Sequence, residues 1–573
     1  MTRPWVPTTA ALLVRGGGLL DLISAVTHPD PGRLATLTEL VPAPVTHAAA
    51  AATSVIGLLL LLLGHGLARR KRRAWYAAVG LLAASVVLHL GKGLDVEEAA
   101  VSAVLLVLLL LAHGEFGAEG DPRTRWAALR AGPLLLSGST LIGLALVQLR
   151  LSAEVGPHPF RARLAHVLLG LVGIPGPLTF RSDADTDVVG FTLAGLGALT
   201  VLVTVYLSLR PAEPVARLDA QDEHDVRCLL ERYGDQDSLG YFALRRDKSV
   251  LWSPSRKAAV TYRVVSGVAL AGGDPLGDPE AWPGAITALL EVCRRHAWVP
   301  AVMGCSEAGG RAYARAGLSV LELGDEAVLN VDGFSTDGRA MRGVRQAVNR
   351  IERTGYTARV RRLSEIPQSE RADLERTAAA WRGAQTERGF SMALGRFGDP
   401  TDDACVLVTA EQDGQLRALL HFVPWGSEGL SLDLMRRDRE GDNGLNEFLI
   451  VAAARAAPDL GVRRLSLNFA VFRQALERGD RLGAGPLVRT WRDLLVFASR
   501  WFQIDSLYRF NAKFQPEWEP RYVCYPSSRD LPRVAFAALE AEAFLAWPTW
   551  PRRKAQSDGA GASNRELKPP RTS

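Results

Sequence analysis

Residues 430–435 (Leu-Ser-Leu-Asp-Leu-Met) and 465–469 (Leu-Ser-Leu-Asn-Phe) predict two strands, because apolar and polar residues alternate in both. A helical pattern at 443–457 lies between them, so residues 428–471 form a βαβ unit whose strands run parallel. Alternate residues of a strand face one side. We predict that two polar pairs share one surface if the strands are neighbours. These pairs are Ser431 with Asp433, and Ser466 with Asn468.

The shared polar surface has two interpretations. Burying a carboxylate without a partner is costly. The surface is therefore either a hydrogen-bonded network inside the protein or the lining of a functional cleft. The pattern leaves both open, and we adopt the cleft as the working hypothesis.

Strand and helix patterns alternate over about 330 residues around this unit, which indicates an α/β region. Further strands are predicted at 257–264, 267–272, 299–304, 318–331, 404–411 and 416–424, and further helices at 284–296, 307–316 and 370–387. We predict a first lobe at 211–338, a basic connecting helix and strand at 339–362, a second lobe at 363–551 and a disordered tail at 552–573.

The first 210 residues differ in composition from the remainder. Only 17 of the 67 Lys and Arg residues and 13 of the 61 Asp and Glu residues lie there, together with the long apolar runs. This excludes a wholly soluble enzyme and a wholly disordered chain. We predict six membrane spans, at 8–27, 46–66, 74–91, 97–113, 131–149 and 188–208. The five cysteines form no C-x-x-C pair, which indicates reduced thiols and excludes a disulfide scaffold.

Charged residues near the spans predict the topology. Basic clusters at 69–73 and 123–130 are expected on the cytoplasmic side, which six spans with a cytoplasmic N-terminus satisfy. Everything after residue 211 is then cytoplasmic, and residues 157–181 form an interfacial or re-entrant piece outside. Four ionisable residues lie in or near spans, and each is either functional or a side chain snorkelling at a helix end. They are Arg15, Asp21, His89 and Lys92.

The connecting segment carries an arginine-rich amphipathic helix. Eight arginines between residues 339 and 362 face a single carboxylate, Glu352. Four of these arginines are candidate phosphate or tRNA ligands: Arg342, Arg345, Arg350 and Arg353. Arginine suits phosphate, so we favour an anionic partner, nucleic acid or lipid headgroup, over a merely solvated face.

Residues 508–522 (Tyr-Arg-Phe-Asn-Ala-Lys-Phe-Gln-Pro-Glu-Trp-Glu-Pro-Arg-Tyr) interleave aromatic and basic residues. Two prolines limit regular structure, so we predict an aromatic-packed basic loop. Composition leaves open whether it holds a phosphate or an adenine, or only packs the core.

This segment resembles the K-F-x-P-x-W-E-P-R-Y signature of the phosphatidylglycerol lysyltransferase family. Five other stretches resemble the family in the same order, and together they cover most of residues 240–530. They are 272–279, 323–327, 342–350, 433–437 and 467–470. The resemblance implies two GNAT-like (acetyltransferase-like) lobes behind a polytopic helical membrane domain. It also implies transfer of an amino acid, most commonly lysine, from aminoacyl-tRNA to the hydroxyl of phosphatidylglycerol or a related lipid.

The resemblance assigns expected roles to residues. Four are expected to be catalytic: Asp433 as a base or as the ligand of the amino group, Asn468 as a donor, and Lys513 and Arg521 as phosphate ligands. Six more are candidate substrate ligands: Arg436, Arg437, Glu447, Asn511, Glu519 and Tyr522. His421 matches no family motif and is given no role.

The implied ester exchange needs no cofactor, and no metal-binding spacing is present. The expected partners are aminoacyl-tRNA, the acceptor lipid and the membrane, with a homo-oligomer left open. The chain ends about 50 residues after the signature. We therefore expect no fused lysyl-tRNA synthetase, and charged tRNA from elsewhere. The six predicted spans imply the synthase part without a full flippase.

Two other classes stay open. One is an acetyl-CoA-dependent N-acyltransferase, although no R/Q-x-x-G-x-G/A loop occurs in 211–550. The other is a non-catalytic membrane sensor or scaffold that has kept the fold, although the polar pairs are retained.

Overall fold

Helices occupy the first part of the chain and one mixed sheet the second. The computed structural model describes residues 5–26, 43–93, 95–118, 122–149, 155, 159–209, 216–383, 389–471 and 504–544. The helices before residue 210 are α1 (Trp5–Val26), α2 (Ala43–Ala68), α3 (Arg72–Gly93), α4 (Val96–Leu111), α5 (Pro122–Leu149), α6 (Phe160–Leu171) and α7 (Asp183–Leu209). Each of the six predicted spans falls on one of these helices.

Among the described residues, four helices are long and apolar enough to cross a membrane. The qualifying segments are Trp5–Ser24, Arg72–Leu90, Ala131–Leu149 and Asp183–Val205, whereas the apolar part of α2 is shorter, at Ala52–Ala68. Exposed leucines, valines and isoleucines cover these helices, as expected of surfaces that face lipid. The helical region is therefore compatible with a membrane protein. The cytoplasmic N-terminus and the outer position of 157–181 stay predictions.

A polar cluster lies inside the helical region. The Asp21 carboxylate on α1 is 2.9 Å from Nε2 of His89 on α3 and accepts a hydrogen bond from the Ser85 hydroxyl. Ser85 is also 3.3 Å from Ser102 of α4, and all four side chains are buried. The snorkelling interpretation is therefore wrong for Asp21 and His89, because each is the other's partner. The Lys92 side chain lies outside the described residues.

The described residues of the second part of the chain form twelve strands. The strands are β1 (Ser249–Trp252), β2 (Ala258–Val265), β3 (Val268–Gly272), β4 (Leu276–Gly277), β5 (Val299–Cys305), β6 (Ser319–Asn330), β7 (Thr357–Arg362), β8 (Val406–Gln412), β9 (Gln415–Trp425), β10 (Gly429–Arg437), β11 (Arg464–Val471) and β12 (Glu517–Tyr525). They form one sheet in the order β1-β2-β3-β5-β12-β6-β11-β10-β9-β8-β7, with β4 beside β2. Strand β12 thus lies within the first lobe's part of the sheet, and the lobe boundaries stay predictions.

Helices cover both faces of this sheet. They are α8 (Ala220–Tyr233), α9 (Trp282–His296), α10 (Glu307–Arg315), α11 (Arg342–Arg353), α12 (Gln368–Arg382), α13 (Leu445–Ala456), α14 (Ile504–Ala512) and α15 (Leu531–Ala541). Around β7 to β11, α11 and α13 pack on one face of the sheet with leucines of β10 and β11. On the opposite face, α8 and α12 pack with Leu407, Leu419 and Val423. We call these the α13 face and the α8 face.

Every strand and helix predicted for the α/β region is present within a few residues, except that part of the predicted helix 370–387 lies outside the described residues. The prediction that 508–522 is a loop was wrong, because helix α14 and strand β12 occupy it. Strand β12 pairs with β6 along its length but with β5 only from Tyr522 onward. Pro520 therefore has an unpaired side, where its missing N–H is tolerated.

Strands β10 and β11 part beyond their first residues. They run parallel, as predicted, with Gly429, Leu430 and Ser431 opposite Arg464, Leu465 and Ser466. Ser431 and Ser466 are therefore neighbours, and pairing does not continue towards Asp433. Strand β10 also has a β-bulge between Leu432 and Leu434. Such bulges redirect side chains, and this one lies where the two strands diverge.

Candidate active site at the junction of the two lobes

Arg521 is the centre of a buried network that joins the lobes. Its guanidinium donates to Oε2 of Glu326, at 2.8 Å from Nε, and to Oδ1 of Asp237, at 2.7 Å. It also donates to the Ser238 hydroxyl and the Gly304 carbonyl. Burial opposes the charge, but Glu326 and Asp237 outweigh it and raise the pKa of Arg521. All five guanidinium donors can be used in this arrangement, as desolvation of an arginine requires.

Glu326 links this network to the predicted polar surface. Its Oε1 accepts hydrogen bonds from the hydroxyls of Ser238, at 2.6 Å, and Ser466. The Ser431 hydroxyl donates to the Ser238 carbonyl at 2.7 Å. Leucines on either side of both serines belong to the core on the α13 face. Ser431 and Ser466 therefore share the opposite face, as predicted.

Two aspartates extend the network into the first lobe. Asp237 Oδ2 accepts the backbone N–H of Asp274 at 2.8 Å. The Asp274 carboxylate accepts the backbone N–H of Ser306 at 2.8 Å and its hydroxyl at 2.5 Å, at the start of α10. Burial and the nearby charge of Asp237 raise the pKa of Asp274 to about 7. Near neutral pH this carboxyl is therefore partly protonated, which lowers the negative charge around Arg521.

Asp433 lies on the α8 face, paired with a residue that sequence reasoning passed over. Its Oδ2 is 2.7 Å from Nδ1 of His421 on β9, and its Oδ1 accepts the backbone N–H of Leu394 at 2.6 Å. Both side chains are buried, and Phe397 packs edge-on against the imidazole at 5.1 Å between ring centres. The bulge in β10 places Asp433 towards His421. His421 Nε2 is buried and has no hydrogen-bond partner among the described residues.

Lys513 lies apart from Asp433. Its ammonium is 2.9 Å from Oε1 of Glu447, in the first turn of α13, and the lysine side chain is half exposed. Residues of α13 pack on the α13 face, whereas His421 and Asp433 lie on the α8 face. The structure thus brings Glu447 and Lys513 together, on a different side of the sheet from Asp433.

The arginine helix is amphipathic, as predicted, and packs on the α13 face through Val344, Val348 and Ile351. Two of its four candidate ligands hold neighbouring backbone. Arg345 donates to the Thr336 carbonyl at 2.7 Å, and Arg350 donates to the Asn443 carbonyl just before α13. Arg342 and Arg353 are exposed. Their guanidinium groups form no ion pair with another described residue.

Three of the remaining candidates donate hydrogen bonds to backbone carbonyls, and two others have raised pKa values. Asn511 is buried and donates to the Leu467 carbonyl at 3.2 Å, which holds α14 against β11. Arg436 and Arg437 donate to the Met435 and Gly441 carbonyls, each at 3.3 Å. Burial and Glu326 raise the pKa of Glu519. Burial raises the pKa of Tyr522, as do Glu307 and Glu322. The backbone of Asn468 belongs to β11, but its side chain lies outside the described residues.

Sequence reasoning gave no role to His421, Asp237, Ser238, Asp274 or Glu326. Glu326 had a local signal, because it precedes the apolar run Ala327–Leu329 of strand β6, and a carboxylate buried there needs a partner. Asp274 and Glu326 also lie within stretches that carry the family resemblance. Asp237 and Ser238 gave no comparable signal, since their side-chain partners are distant in sequence. His421 gave none either, because its contact with Asp433, 12 residues away, depends on the β-bulge in β10.

Comparisons with known proteins show which family this chain belongs to. The family model described as phosphatidylglycerol lysyltransferase, C-terminal, matches residues 227–525, which is more than half of the chain. The chain is 42% identical over 566 residues to a lysylphosphatidylglycerol biosynthesis bifunctional protein LysX of Mycolicibacterium vanbaalenii, covering 95% of this chain and 50% of that protein. A protein of the same name from Rhodococcus jostii is 45% identical over 510 residues, covering 86% of this chain and 45% of that protein.

The chain thus spans about half the length of the curated relatives it matches. The structure of L-PGS from Bacillus licheniformis is similar in fold, with 20% identity and a TM-score of 0.51 over 58% of this chain and 99% of that one. These findings confirm the predicted fold class, apolar helices followed by an α/β region of two GNAT-like lobes. The chain belongs to the phosphatidylglycerol lysyltransferase family.

Proposed function

We propose that this chain is a membrane aminoacyltransferase. In the proposal it moves an amino acid, lysine in the first instance, from aminoacyl-tRNA to the hydroxyl of phosphatidylglycerol. Family membership supports it, as does the name of the relatives, which are lysylphosphatidylglycerol biosynthesis proteins. The observation that carries it is the convergence of Asp433 and the Arg521 network on one face of the sheet, where β10 and β11 diverge.

The proposed reaction exchanges one ester for another. The acceptor hydroxyl loses its proton, its oxygen attacks the ester carbonyl, and the ribose oxygen of the tRNA leaves. This chemistry needs a base near the hydroxyl and donors for the tetrahedral oxyanion. A carboxylate and an imidazole in a water-poor site are suitable groups for the first task. Backbone N–H groups of β10 and β11 beyond their last paired residues, Ser431 and Ser466, are the proposed donors for the second.

The residues divide between chemistry and support in this proposal. Asp433 acts at the reacting atoms, either directly or through His421. Arg521 has a supporting role, because its donors already hold Glu326, Asp237 and Ser238. Glu326 and Ser238 in turn accept hydrogen bonds from Ser466 and Ser431, which connects this network to β10 and β11. Asn468 keeps the role of a donor, since it lies on the strand that parts from β10.

The α13 face supplies the proposed surface for tRNA. Arg342, Arg353 and Lys513 are cationic and exposed or half exposed there, which suits contacts with phosphates. Glu447 balances the charge of Lys513 in the free protein. The proposed topology, with a cytoplasmic N-terminus and a cytoplasmic sheet region, brings soluble tRNA and the membrane lipid to one protein.

Lipid mass spectrometry tests the proposal. The purified chain is incubated with vesicles of phosphatidylglycerol and lysyl-tRNA, and the lipids are then extracted. We expect a new lipid whose added mass equals one lysyl residue. Replacing lysyl-tRNA by alanyl-tRNA, or phosphatidylglycerol by cardiolipin, identifies the donor and the acceptor.

Two variants make the test specific. Asp433→Asn should abolish the new lipid, whereas Asp413→Asn, at an exposed turn between β8 and β9, should leave it unchanged. The absence of any aminoacylated lipid with folded protein and every donor would contradict the proposal.

A further inference from the structure

We infer that His421 is the general base of the proposed transfer, and that Asp433 orients it. This inference rests on the proposed function and deepens it, since it names the atom that removes the proton from the lipid hydroxyl. It also gives a role to a buried imidazole that no motif identifies.

The geometry of the pair determines which ring nitrogen is free. Asp433 accepts one hydrogen bond on each oxygen, from His421 Nδ1 at 2.7 Å and from the Leu394 N–H at 2.6 Å. An ionised carboxylate only accepts, so the proton of a neutral imidazole lies on Nδ1. His421 Nε2 then carries a lone pair and is the ring atom able to take a proton.

The free nitrogen is unusual for a buried side chain. The exposed fraction of the His421 side chain is 1%, and Nε2 has no hydrogen-bond partner within the described part of the chain. Leaving a buried polar atom unpaired is energetically unfavourable. A ligand that donates a hydrogen bond to Nε2 removes this cost, and the acceptor hydroxyl is such a ligand.

The arrangement is that of a general base whose orientation is fixed by a neighbouring carboxylate. A carboxylate fixes the tautomer and the orientation of an imidazole, and the other ring nitrogen points to the reacting hydroxyl. The Leu394 N–H holds the carboxylate itself in place. Both oxygens of Asp433 therefore already accept a hydrogen bond, one from the imidazole and one from the loop backbone. This favours the imidazole as the proton acceptor.

The proposed step balances in atoms and charge. The lipid O–H bond breaks, its proton moves to His421 Nε2, and its oxygen forms a bond to the ester carbonyl carbon. The tetrahedral intermediate then collapses, and the bond from that carbon to the ribose oxygen of the tRNA breaks. The ribose oxygen takes the proton from Nε2, which regenerates the neutral imidazole.

One loop covers the pair. Residues 389–398 supply the Leu394 N–H and the Phe397 ring, and Arg245 and Glu542 hold this loop at its Gly389 end. Three glycines in the loop have positive φ: Gly389, Gly395 and Gly398. In the proposal, Phe397 moves aside so that the lipid hydroxyl can reach the imidazole.

His421→Asn tests the inference. The amide nitrogen of asparagine lies near the position of Nδ1, so it keeps the hydrogen bond to Asp433 but offers no basic nitrogen. We expect kcat for lysine transfer to fall by about 10²–10⁴-fold, the usual contribution of a general base. The Kd for lysyl-tRNA and the unfolding midpoint should stay close to those of the intact protein. His224→Asn, at an exposed position on α8, is the matched control.

The outcomes separate the inference from the proposed function. If the intact chain transfers no amino acid from any donor tested, the proposed function is contradicted, and the role of His421 with it. Transfer by the intact chain, with kcat of His421→Asn within about twofold of it, overturns the inference alone. A purely structural role would instead lower the unfolding midpoint and leave kcat of the folded fraction unchanged. If His421→Asn does not fold, His421→Gln is measured in the same way, and failure of both to fold also overturns the inference.

Discussion

The described residues include two buried Asp–His pairs in very different surroundings. In the helical region, Asp21 and His89 lie 2.9 Å apart, and serine hydroxyls complete the cluster. In the sheet region, Asp433 and His421 lie 2.7 Å apart, and the backbone N–H of a loop completes it. Each imidazole keeps one buried nitrogen without a partner among the described residues.

The difference lies in what each pair holds together. Ser85 and His89 are one turn apart on α3, so the helical pair joins α1 to α3 by contacts that many polar residues could make. The pair on the sheet depends on a β-bulge and on a loop from elsewhere in the chain. It also lies on the face that carries the Arg521 network. The same two side chains thus act as a link between helices in one region and as candidate chemistry in the other.

The largest expected effect is on the rate of lysine transfer, which should depend on Asp433 but not on Asp21. Asp433→Asn should lower the rate of lysine transfer by about 10³-fold or more, because the amide cannot accept both hydrogen bonds that hold the carboxylate. Asp21→Asn should leave the rate per folded molecule unchanged. The measurement is the initial rate with lysyl-tRNA and phosphatidylglycerol vesicles. Equal losses of rate in Asp433→Asn and Asp21→Asn would contradict the different roles given to the two pairs.

The Arg521 network should dominate stability in the sheet region. Glu326→Gln leaves the Arg521 charge buried with one partner fewer, so we expect the free energy of unfolding to fall by about 3–5 kcal/mol. Arg311→Gln breaks an exposed ion pair with Glu307 on α10, and its expected effect is below about 0.5 kcal/mol. Denaturant unfolding measures both. Similar values for the two variants would contradict a structural role for Arg521.

Stability of the sheet region should decrease as the pH rises. Burial and Asp237 raise the pKa of Asp274 to about 7, above its value in the unfolded chain. The folded state therefore binds this proton more tightly, and the resulting stability is present at low pH and lost as the pH passes about 7. Between about pH 5 and about pH 8 we expect a loss of about 3 kcal/mol.

Asp274→Asn should flatten this dependence. The measurement is denaturant unfolding at a series of pH values, with Asp413→Asn as the exposed control. An unchanged slope in Asp274→Asn would assign the pH dependence to another group.

The arginine helix should contribute a smaller, electrostatic effect. Arg342→Ala with Arg353→Ala should weaken lysyl-tRNA binding by several-fold and reduce its dependence on salt, as expected if each contacts one phosphate. Arg376→Ala, exposed on α12, is the matched control. Titration at two salt concentrations measures the change. Equal effects of Arg376 and the helix arginines would indicate only a general attraction.

The helical pair should give the smallest effect. Asp21→Asn should lower the stability of the helical region by about 1 kcal/mol, the usual scale for polar contacts between membrane helices. Thermal unfolding in detergent compares it with Ser54→Ala on α2. If Asp21→Asn lowered stability as much as Glu326→Gln does, the polar contacts of the two regions would contribute equally, and this prediction would be wrong.

Local patterns determined much of this protein from the sequence. The period of two in β10 and β11 predicts which residues face each side, and Ser431 and Ser466 confirm it. The apolar runs predict the helical region, and the spacing of Val344, Val348 and Ile351 predicts the amphipathic helix. These predictions hold because alternation and helical periodicity depend on neighbouring residues alone.

Only the tertiary structure decided which distant residues meet. Strand β12 lies between β5 and β6, which brings Arg521 to Glu326 and Asp237, more than 190 residues away in sequence. The bulge that points Asp433 towards His421 changes the register by one residue, and no local pattern encodes it. These contacts matter for stability because they are buried, and a charge removed from water needs a partner within hydrogen-bond distance.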